Sequence, residues 1–147
     1  MMVHIRKLCV GAESVADLEE WQAGRRAQHL RDGIDPDEAV WHVTRSFPKR
    51  AADILQGGGS LYWIIKGLMI VRQPIRRFDE VVDQEGRPAC KIVFEPVLVP
   101  VEPRPHRPFQ GWRYLEAKDA PPDLGAGGQA EGLPPDLAAE LRSLGVW

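Results

Sequence analysis

The sequence predicts an α+β fold in which a bent mixed sheet or a small β-barrel is flanked by two or three helices. Segments with strand-like alternation are interspersed with segments of helical periodicity, and prolines interrupt the longer apolar runs. Strongly curved strands of this kind are typical of bent sheets and small barrels. With 147 residues, the chain is long enough for one domain with a substantial core.

Two strands and two helices are expected in the first half of the chain. Each follows from a local signal: alternation for the strands, and a capping residue followed by apolar positions at helical spacing for the helices. The elements are, in order, a strand over Val3–Val10, a helix from the cap Ser14 to Gly33, a strand over Val40–Thr44, and a short helix from the cap Ser46 through Pro48 to Gly57.

The second half contains the long runs. The stretch from Leu61 to Val82 exceeds the length of one straight strand, so we expect it to bend at Gly67 and Pro74. After a turn at residues 84–87, residues 89–101 supply one or two strands around Pro96. The segment 103–114 starts stiff and extended because three prolines open it.

The domain organisation follows from composition. We expect residues 1–124 to form a single α+β domain, residues 125–133 a glycine-rich linker, and residues 134–147 a C-terminal helix that packs on the domain. The linker contains a G-x-G-x-x-A match, but no strand leads into it, so we do not interpret it as a dinucleotide site.

Charge is distributed unevenly along the chain, although the net charge is only −2. Residues 11–38 carry eight acids against three arginines, a net −5, and residues 115–147 have a net −4. Between them, residues 42–77 form a basic patch with seven Lys and Arg side chains against Asp53 alone, a net +6. Segregation of this kind favours a surface that binds an anionic ligand.

Several classes of protein are disfavoured. The two cysteines, Cys9 and Cys90, are far apart, which indicates neither a disulfide framework nor a zinc site. The longest apolar run, residues 61–71, is interrupted by Lys66 and is too short to span a bilayer, and no signal peptide is evident. We therefore expect a cytoplasmic protein without membrane association, metal or cofactor.

The most informative segment, Lys49–Gly67, combines a short basic helix, a triple-glycine loop and an apolar aromatic strand. A glycine loop can offer backbone N–H groups to an anion. Because this loop follows a helix C-terminus, where the helix dipole is negative, an anion there would also need cations such as Lys49, Arg50 or Lys66. The alternative is that the loop binds no ligand and only ends the helix, since one glycine suffices for a cap.

Several strings in the chain resemble an uncharacterised bacterial family of small proteins, a domain of unknown function, over nearly the whole length. They are Arg45 with Pro48–Ala51, Gly58–Gly67, Arg72–Gln73, Arg107–Leu115 and Asp119–Pro121. A looser similarity is to PUA-like and ASCH-type RNA-binding barrels, because Ile54–Gly57 leads through a glycine loop into a strand. That resemblance implies a PUA-like barrel whose glycine loop and adjoining cations contact the RNA backbone.

The leading hypothesis is a non-catalytic nucleic-acid-binding module, with RNA or another phosphate-bearing ligand as its partner. No oligomeric state is predicted. The expected phosphate- and nucleic-acid-binding residues are Arg45, Lys49, Arg50, Gly58, Gly59, Ser60, Lys66, Arg72, Arg107, Gln110, Trp112 and Arg113.

Two alternatives belong to other functional classes. The first is an enzyme acting on a phosphorylated or nucleotide small molecule, which requires a pocket that unites His42, Ser60 and Arg113. The second is a protein-interaction module that binds a partner through its acidic flanks or through residues 107–114.

Overall fold

Seven strands and two α-helices make up residues 3–124, the part of the chain that the computed structural model describes. The expected linker over 125–133 and helix over 134–147 lie outside the described residues. The elements are β1 (Val3–Leu8), α1 (Val15–Arg31), β2 (Trp41–Thr44), α2 (Ala51–Gln56), β3 (Ser60–Ile65), β4 (Leu68–Val82), β5 (Pro88–Phe94), β6 (Val99–Pro105) and β7 (Trp112–Glu116).

The strands form one mixed sheet in the order β2-β5-β4-β3-β1-β7, with β6 also paired to β4. β1 and β3 are parallel, and every other pair is antiparallel. The expected α+β fold on a bent sheet is confirmed. The barrel alternative is wrong, because β2 and β7 at the two ends of the order do not pair within residues 3–124.

The 15-residue strand β4 supports three partner strands. β3 pairs along one edge, while β6 and β5 pair with successive parts of β4 on the other. Pro74 lies where β6 ends and β5 begins, and its carbonyl accepts a hydrogen bond from the Glu95 N–H at 2.9 Å. The nitrogen of Pro74 therefore points towards residues 95–98, which connect β5 to β6. At this position the lack of an N–H removes no hydrogen bond of the strand ladders.

The expected bends in the run 61–82 take two forms. At Gly67 the chain reverses, because Lys66 and Gly67 form a tight turn between β3 and β4 with φ values of 50° and 77°. Positive φ at both central residues is typical of two-residue hairpin turns. Next to Pro74, the β4–β5 register shifts between Ile75 and Arg77. A register shift of this kind bends a strand, as expected at Pro74.

The proline-rich segment 103–114 starts in extended conformation, as expected, and its first residues belong to a strand. Pro103 and Pro105 lie within β6, and regular structure resumes at Trp112. An edge strand tolerates proline because only some of its N–H groups face a partner. The outer side of β6 is covered by residues 122–124, where the Glu102 N–H donates to the Pro122 carbonyl and Val101 forms a bridge with Asp123.

Helix α1 begins as its cap signal predicts, since the Ser14 Oγ accepts a hydrogen bond from the Asp17 N–H at 3.1 Å. Its apolar stripe is buried only in the first turns, through Val15 and Leu18. Trp21 and Leu30, which the helical spacing assigns to the same stripe, are 52% and 68% exposed.

A fully buried amide attaches α1 to the sheet. The side chains of Gln73 on β4 and Gln22 on α1 exchange two hydrogen bonds of 2.9 and 3.0 Å. The Gln73 carbonyl oxygen also accepts from the Trp63 indole N–H, and its amide donates to the Glu95 carbonyl. All of its hydrogen-bonding groups are thereby used, so the buried polar side chain fixes the position of the helix.

The triple-glycine loop ends α2 as a Schellman motif. Gly57 is the C-cap in a right-handed conformation, and Gly58 has φ of +69°. The Gly58 N–H donates to the Leu55 carbonyl and the Gly59 N–H to the Ile54 carbonyl, the two bonds that define this motif. At its other end, α2 is capped by Arg50 without a side-chain hydrogen bond, so Ser46 is not the cap.

Gly59 is required by packing. A Cβ atom at this position would lie 2.5 Å from the Val3 carbonyl oxygen and 2.8 Å from the Ile54 Cγ2. The loop thus passes between α2 and β1, where no side chain fits. The close approach that three successive glycines suggest is made to another segment of the chain.

Two apolar clusters lie on opposite faces of the sheet. The larger cluster includes Val3, Ile5 and Trp63 and continues to Phe94, and we call its side of the sheet the inner face. The smaller cluster, on the outer face, comprises Tyr62, Ile64, Met69, Val101 and Leu115. The alternation of side chains along each strand assigns successive residues to the two faces.

We expect Gly59→Ala to destabilise the fold by about 1–3 kcal/mol, because the methyl group overpacks a contact formed partly by backbone. The matched control is Gly24→Ala in α1, where a Cβ meets nothing within 4 Å. That change should stabilise the protein by about 0.5–1 kcal/mol through helix propensity. Urea unfolding measures both values, and equal stability of the two variants would contradict this role of Gly59.

Candidate functional site

A groove of about 920 Å³ opens where the two ends of the sheet order, β2 and β7, approach each other. One wall comes from β2 and the segment after it, and the other from β7 and the loop before it, with one residue from β1. We call this the seam groove, and its lining consists of Lys7, His42, Val43, Thr44, Arg45, Ser46, Phe47, Lys49, Gln110, Gly111, Trp112, Arg113 and Tyr114.

Hydrogen bonds from side chains connect the two walls. The Trp112 indole N–H donates to the Ser46 carbonyl at 3.0 Å. The Arg50 backbone N–H donates to the Tyr114 hydroxyl at 3.1 Å, and the Arg50 guanidinium contacts Glu116 at 2.8 Å. These contacts hold β7 against the segment after β2 where no strand ladder joins them.

The inner end of the groove carries Lys7 and His42. Lys7 pairs with Trp63 on one side and with Trp112 on the other, so it shares the inner face with both. The ring of His42 meets the ring of Trp63 edge-on at 6.0 Å. Trp112 packs edge-on against Tyr114 at 4.9 Å and supplies an aromatic wall beside Lys7.

The groove has a positively charged lining. Four cations line it, Lys7, Arg45, Lys49 and Arg113, and none of the Asp and Glu residues between 3 and 124 does. None of the four forms an ion pair with another residue between 3 and 124. A concave surface with cations of one sign concentrates anions from solution.

Burial alters the titration of the two residues at the inner end. Burial, together with the charges of Lys7 and Arg25, lowers the pKa of His42 to about 4. His42 is therefore neutral near pH 7, with one ring nitrogen as donor and the other as acceptor. Burial also lowers the pKa of Lys7.

The structure brings five of the predicted binding residues into the seam groove. They come from two distant parts of the chain: Arg45 and Lys49 from the segment after β2, and Gln110, Trp112 and Arg113 from the segment around the start of β7. Arg113 alternates with Trp112 and Tyr114 along β7, so its side chain lies on the outer face, where its guanidinium is 4.8 Å from the ring centre of Phe109.

The other predicted cations lie outside the groove lining. Arg50 adjoins it but is paired with Glu116 and Asp53. Lys66 occupies the β3–β4 turn, with its Nζ 3.8 Å from the Glu13 carboxylate. Arg107 is exposed in the loop between β6 and β7.

Arg72 is engaged by the fold itself. Its Nε and Nη2 each lie 2.8 Å from an Asp123 carboxylate oxygen, and its Nη1 donates to the Ser60 Oγ at 2.9 Å. Such a bidentate pair is a strong charge-assisted interaction. Arg72 attaches residue 123 to β4 and leaves little capacity for a phosphate.

The backbone N–H groups of the glycine loop are also used within the fold. Those of Gly57, Gly58 and Gly59 donate to carbonyls of α2, and that of Ser60 donates to the Nδ1 of His4 at 2.9 Å. Ser60 has no exposed surface. The physical basis for anion binding by Gly58, Gly59 and Ser60 is therefore absent from this conformation.

Sequence reasoning did not assign Lys7, Phe47 or Tyr114 to a site. For Lys7 a signal exists, because alternation from Val3 through Ile5 places it on the face of β1 that carries apolar side chains. A lysine at such a position is unusual in a core and indicates a cavity. The pairing of β1 with β7, which makes the position part of a groove, has no local signal.

Other classes of site are not evident in residues 3–124. No group of three His, Cys, Asp or Glu side chains in this range is placed to hold a metal ion. The helices of this range are too short or too polar to cross a membrane.

We expect the ring of His42 to stay neutral down to pH 5.5, which an NMR titration of its ring carbons measures. Because its pKa is about 4 in the folded chain and 6.5 ordinarily, unfolded chains bind an extra proton between these values. Stability is thus lost as the pH falls from 6.5 towards 4. In His42→Gln this contribution should vanish from urea unfolding curves, and a His42 midpoint near pH 6.5 would contradict the burial argument.

Comparison with known proteins gives a family without an assigned activity. No curated protein and no solved structure matches the chain. The likeness to PUA-like domains therefore stays a prediction. A family model described as a protein of unknown function (DUF1489) matches residues 5–147, nearly the whole length, which confirms the expected membership of an uncharacterised family. The chain belongs to the DUF1489 family.

Proposed function

We propose that the protein is a nucleic-acid-binding module, with single-stranded RNA as its first expected ligand, and that the ligand occupies the seam groove. The observation that carries this proposal is the convergence of Lys7, Arg45 and Lys49, which form no ion pair within residues 3–124, next to aromatic side chains and with no carboxylate of that range in the lining. Phosphate contacts supply most of the affinity in such complexes.

The rim of the groove offers the groups that bind a phosphate backbone. Arg45 and Lys49 are exposed on the wall that follows β2, so a strand that lies along this wall can contact both cations. These contacts position the strand but carry no sequence information.

The aromatic residues favour a single strand over a duplex. Phe47 is 40% exposed at the rim, and Trp112 and Tyr114 line the wall. Aromatic rings bind unpaired bases by stacking, which the paired bases of a duplex do not allow. The volume of about 920 Å³ is of the size that takes a small ligand or a few nucleotide groups.

The enzyme alternative is less well supported by this geometry. It requires His42, Ser60 and Arg113 in one pocket. His42 and Arg113 line the seam groove, whereas Ser60 is fully buried beneath Arg72 and is not part of the lining. The groove therefore receives no nucleophile from Ser60.

We expect Lys49→Ala to weaken binding of single-stranded RNA at low salt, measured by fluorescence anisotropy at two or more salt concentrations. Loss of one phosphate contact should lower the slope of log K against log salt by about 0.7. The double variant Arg45→Ala/Lys49→Ala should lower it by about twice that amount, because the two rim cations act independently.

The matched control is Arg31→Ala, which removes an exposed cation at the end of α1, outside the groove lining. It should leave both affinity and salt slope unchanged. The proposal fails if the wild-type chain binds no RNA or DNA at low salt. An effect of Arg31→Ala equal to that of Lys49→Ala would instead indicate nonspecific charge attraction.

A further inference from the structure

We propose that the inner end of the seam groove accepts one unpaired base and prefers guanine to adenine, with Lys7 contacting the O6 and N7 acceptors of guanine. This inference rests on the proposed function, because it names the group that the same groove selects. It assigns to Lys7 a role in specificity that differs from that of the rim cations.

The first step is the position of Lys7. It lies one strand inside the β7 edge, with Trp63 and Trp112 as its lateral neighbours on the inner face. Arg45 and Lys49 are exposed at the rim, whereas Lys7 is only partly exposed. A group that reaches Lys7 must enter the groove between the two walls.

The second step is the unsatisfied hydrogen-bonding capacity of Lys7. An ammonium group has three donors and no acceptor, and Lys7 forms no ion pair with a residue in the range 3–124. No carboxylate of that range lines the groove to accept hydrogen bonds from it. Because partial burial of an unpaired charge is costly, a ligand that supplies acceptors at this point is favoured.

The third step concerns the walls around Lys7. The Trp112 indole N–H is already bonded to the Ser46 carbonyl, so its ring offers the ligand an apolar π surface. The rings of Tyr114 and His42 also line the groove. Planar rings beside a single half-buried cation suit a neutral base better than a phosphate, whose full charge would be desolvated against one lysine.

The fourth step identifies the base. Guanine presents two adjacent acceptors, O6 and N7, whereas adenine presents the N6 amino donor beside N7. The donors of Lys7 match the guanine edge and oppose the adenine amino group. Lys7 therefore discriminates between the two purines on this edge.

The experiment uses uridine decamers of RNA with a single central guanosine, adenosine, inosine or 7-deazaguanosine, with affinity measured by anisotropy on the full-length chain. We expect guanosine to bind at least about fivefold more tightly than adenosine, the lower end for a specific base contact. Inosine keeps O6 and N7 and should match guanosine. Loss of N7 in 7-deazaguanosine should remove part of the preference.

Two variants test Lys7 itself. Lys7→Met removes the donors at similar length and should abolish the guanosine preference, while Lys49→Ala should weaken all four decamers equally. Lys7→Gln provides a second test if Lys7→Met does not fold. A glutamine can pair with the N6 and N7 of adenine, so the preference should move towards adenosine.

The outcomes separate this inference from the proposed function. If no decamer binds at low salt, the proposed function fails and this inference with it. If all decamers bind equally, nucleic-acid binding stands and the inference alone is overturned. A guanosine preference that persists in Lys7→Met would also overturn it. So would a dependence of binding on a 5′-phosphate in place of the central base, because the inner end of the groove would then bind a terminal phosphate.

Discussion

The architecture depends on a single constraint, which is that β4 hydrogen-bonds to three strands at once. β6 and β5 share one of its edges, and this arrangement works because Pro74 has no N–H to offer at the junction between them. The register shift beside Pro74 bends the strand there. Strands β1 and β7 extend the sheet beyond β3, and β2 extends it beyond β5, so the curvature of β4 determines how closely β2 and β7 approach.

The seam groove is a consequence of that curvature. A flat sheet would place β2 and β7 far apart, and a closed barrel would fill the space between them with a ladder and side chains. Within residues 3–124 the walls are joined by side-chain contacts such as the hydrogen bond from Trp112 to Ser46. The polar and aromatic side chains of the inner face, including Lys7 and His42, thus remain accessible at the seam.

Local signals predicted local structure well. Ser14 marks the start of α1, and α2 ends at the glycine loop as expected, although the positive φ occurs at Gly58 and not at Gly57. Long-range pairing has no such signal. The sequence alone therefore predicts that Lys66 binds a ligand from within a strand, whereas it lies in a tight turn, where an exposed lysine is common. Arg72 is another example, because its partner Asp123 is 51 residues away. Of the seven cations in the basic patch, Arg45 and Lys49 line the groove, and the fold adds Lys7 from β1.

The contacts between β7 and the segment after β2 also bear on the strand edges at the two ends of the sheet order. An unpaired strand edge is a template for pairing with another molecule, and proteins generally blunt it with charge, proline or a covering segment. Here β2 and β7, the two ends of the sheet order, face each other across the groove, and the cations at its rim repel a second copy of the same surface. The cations that attract an anionic ligand to the groove therefore also oppose the docking of a second copy of the same surface.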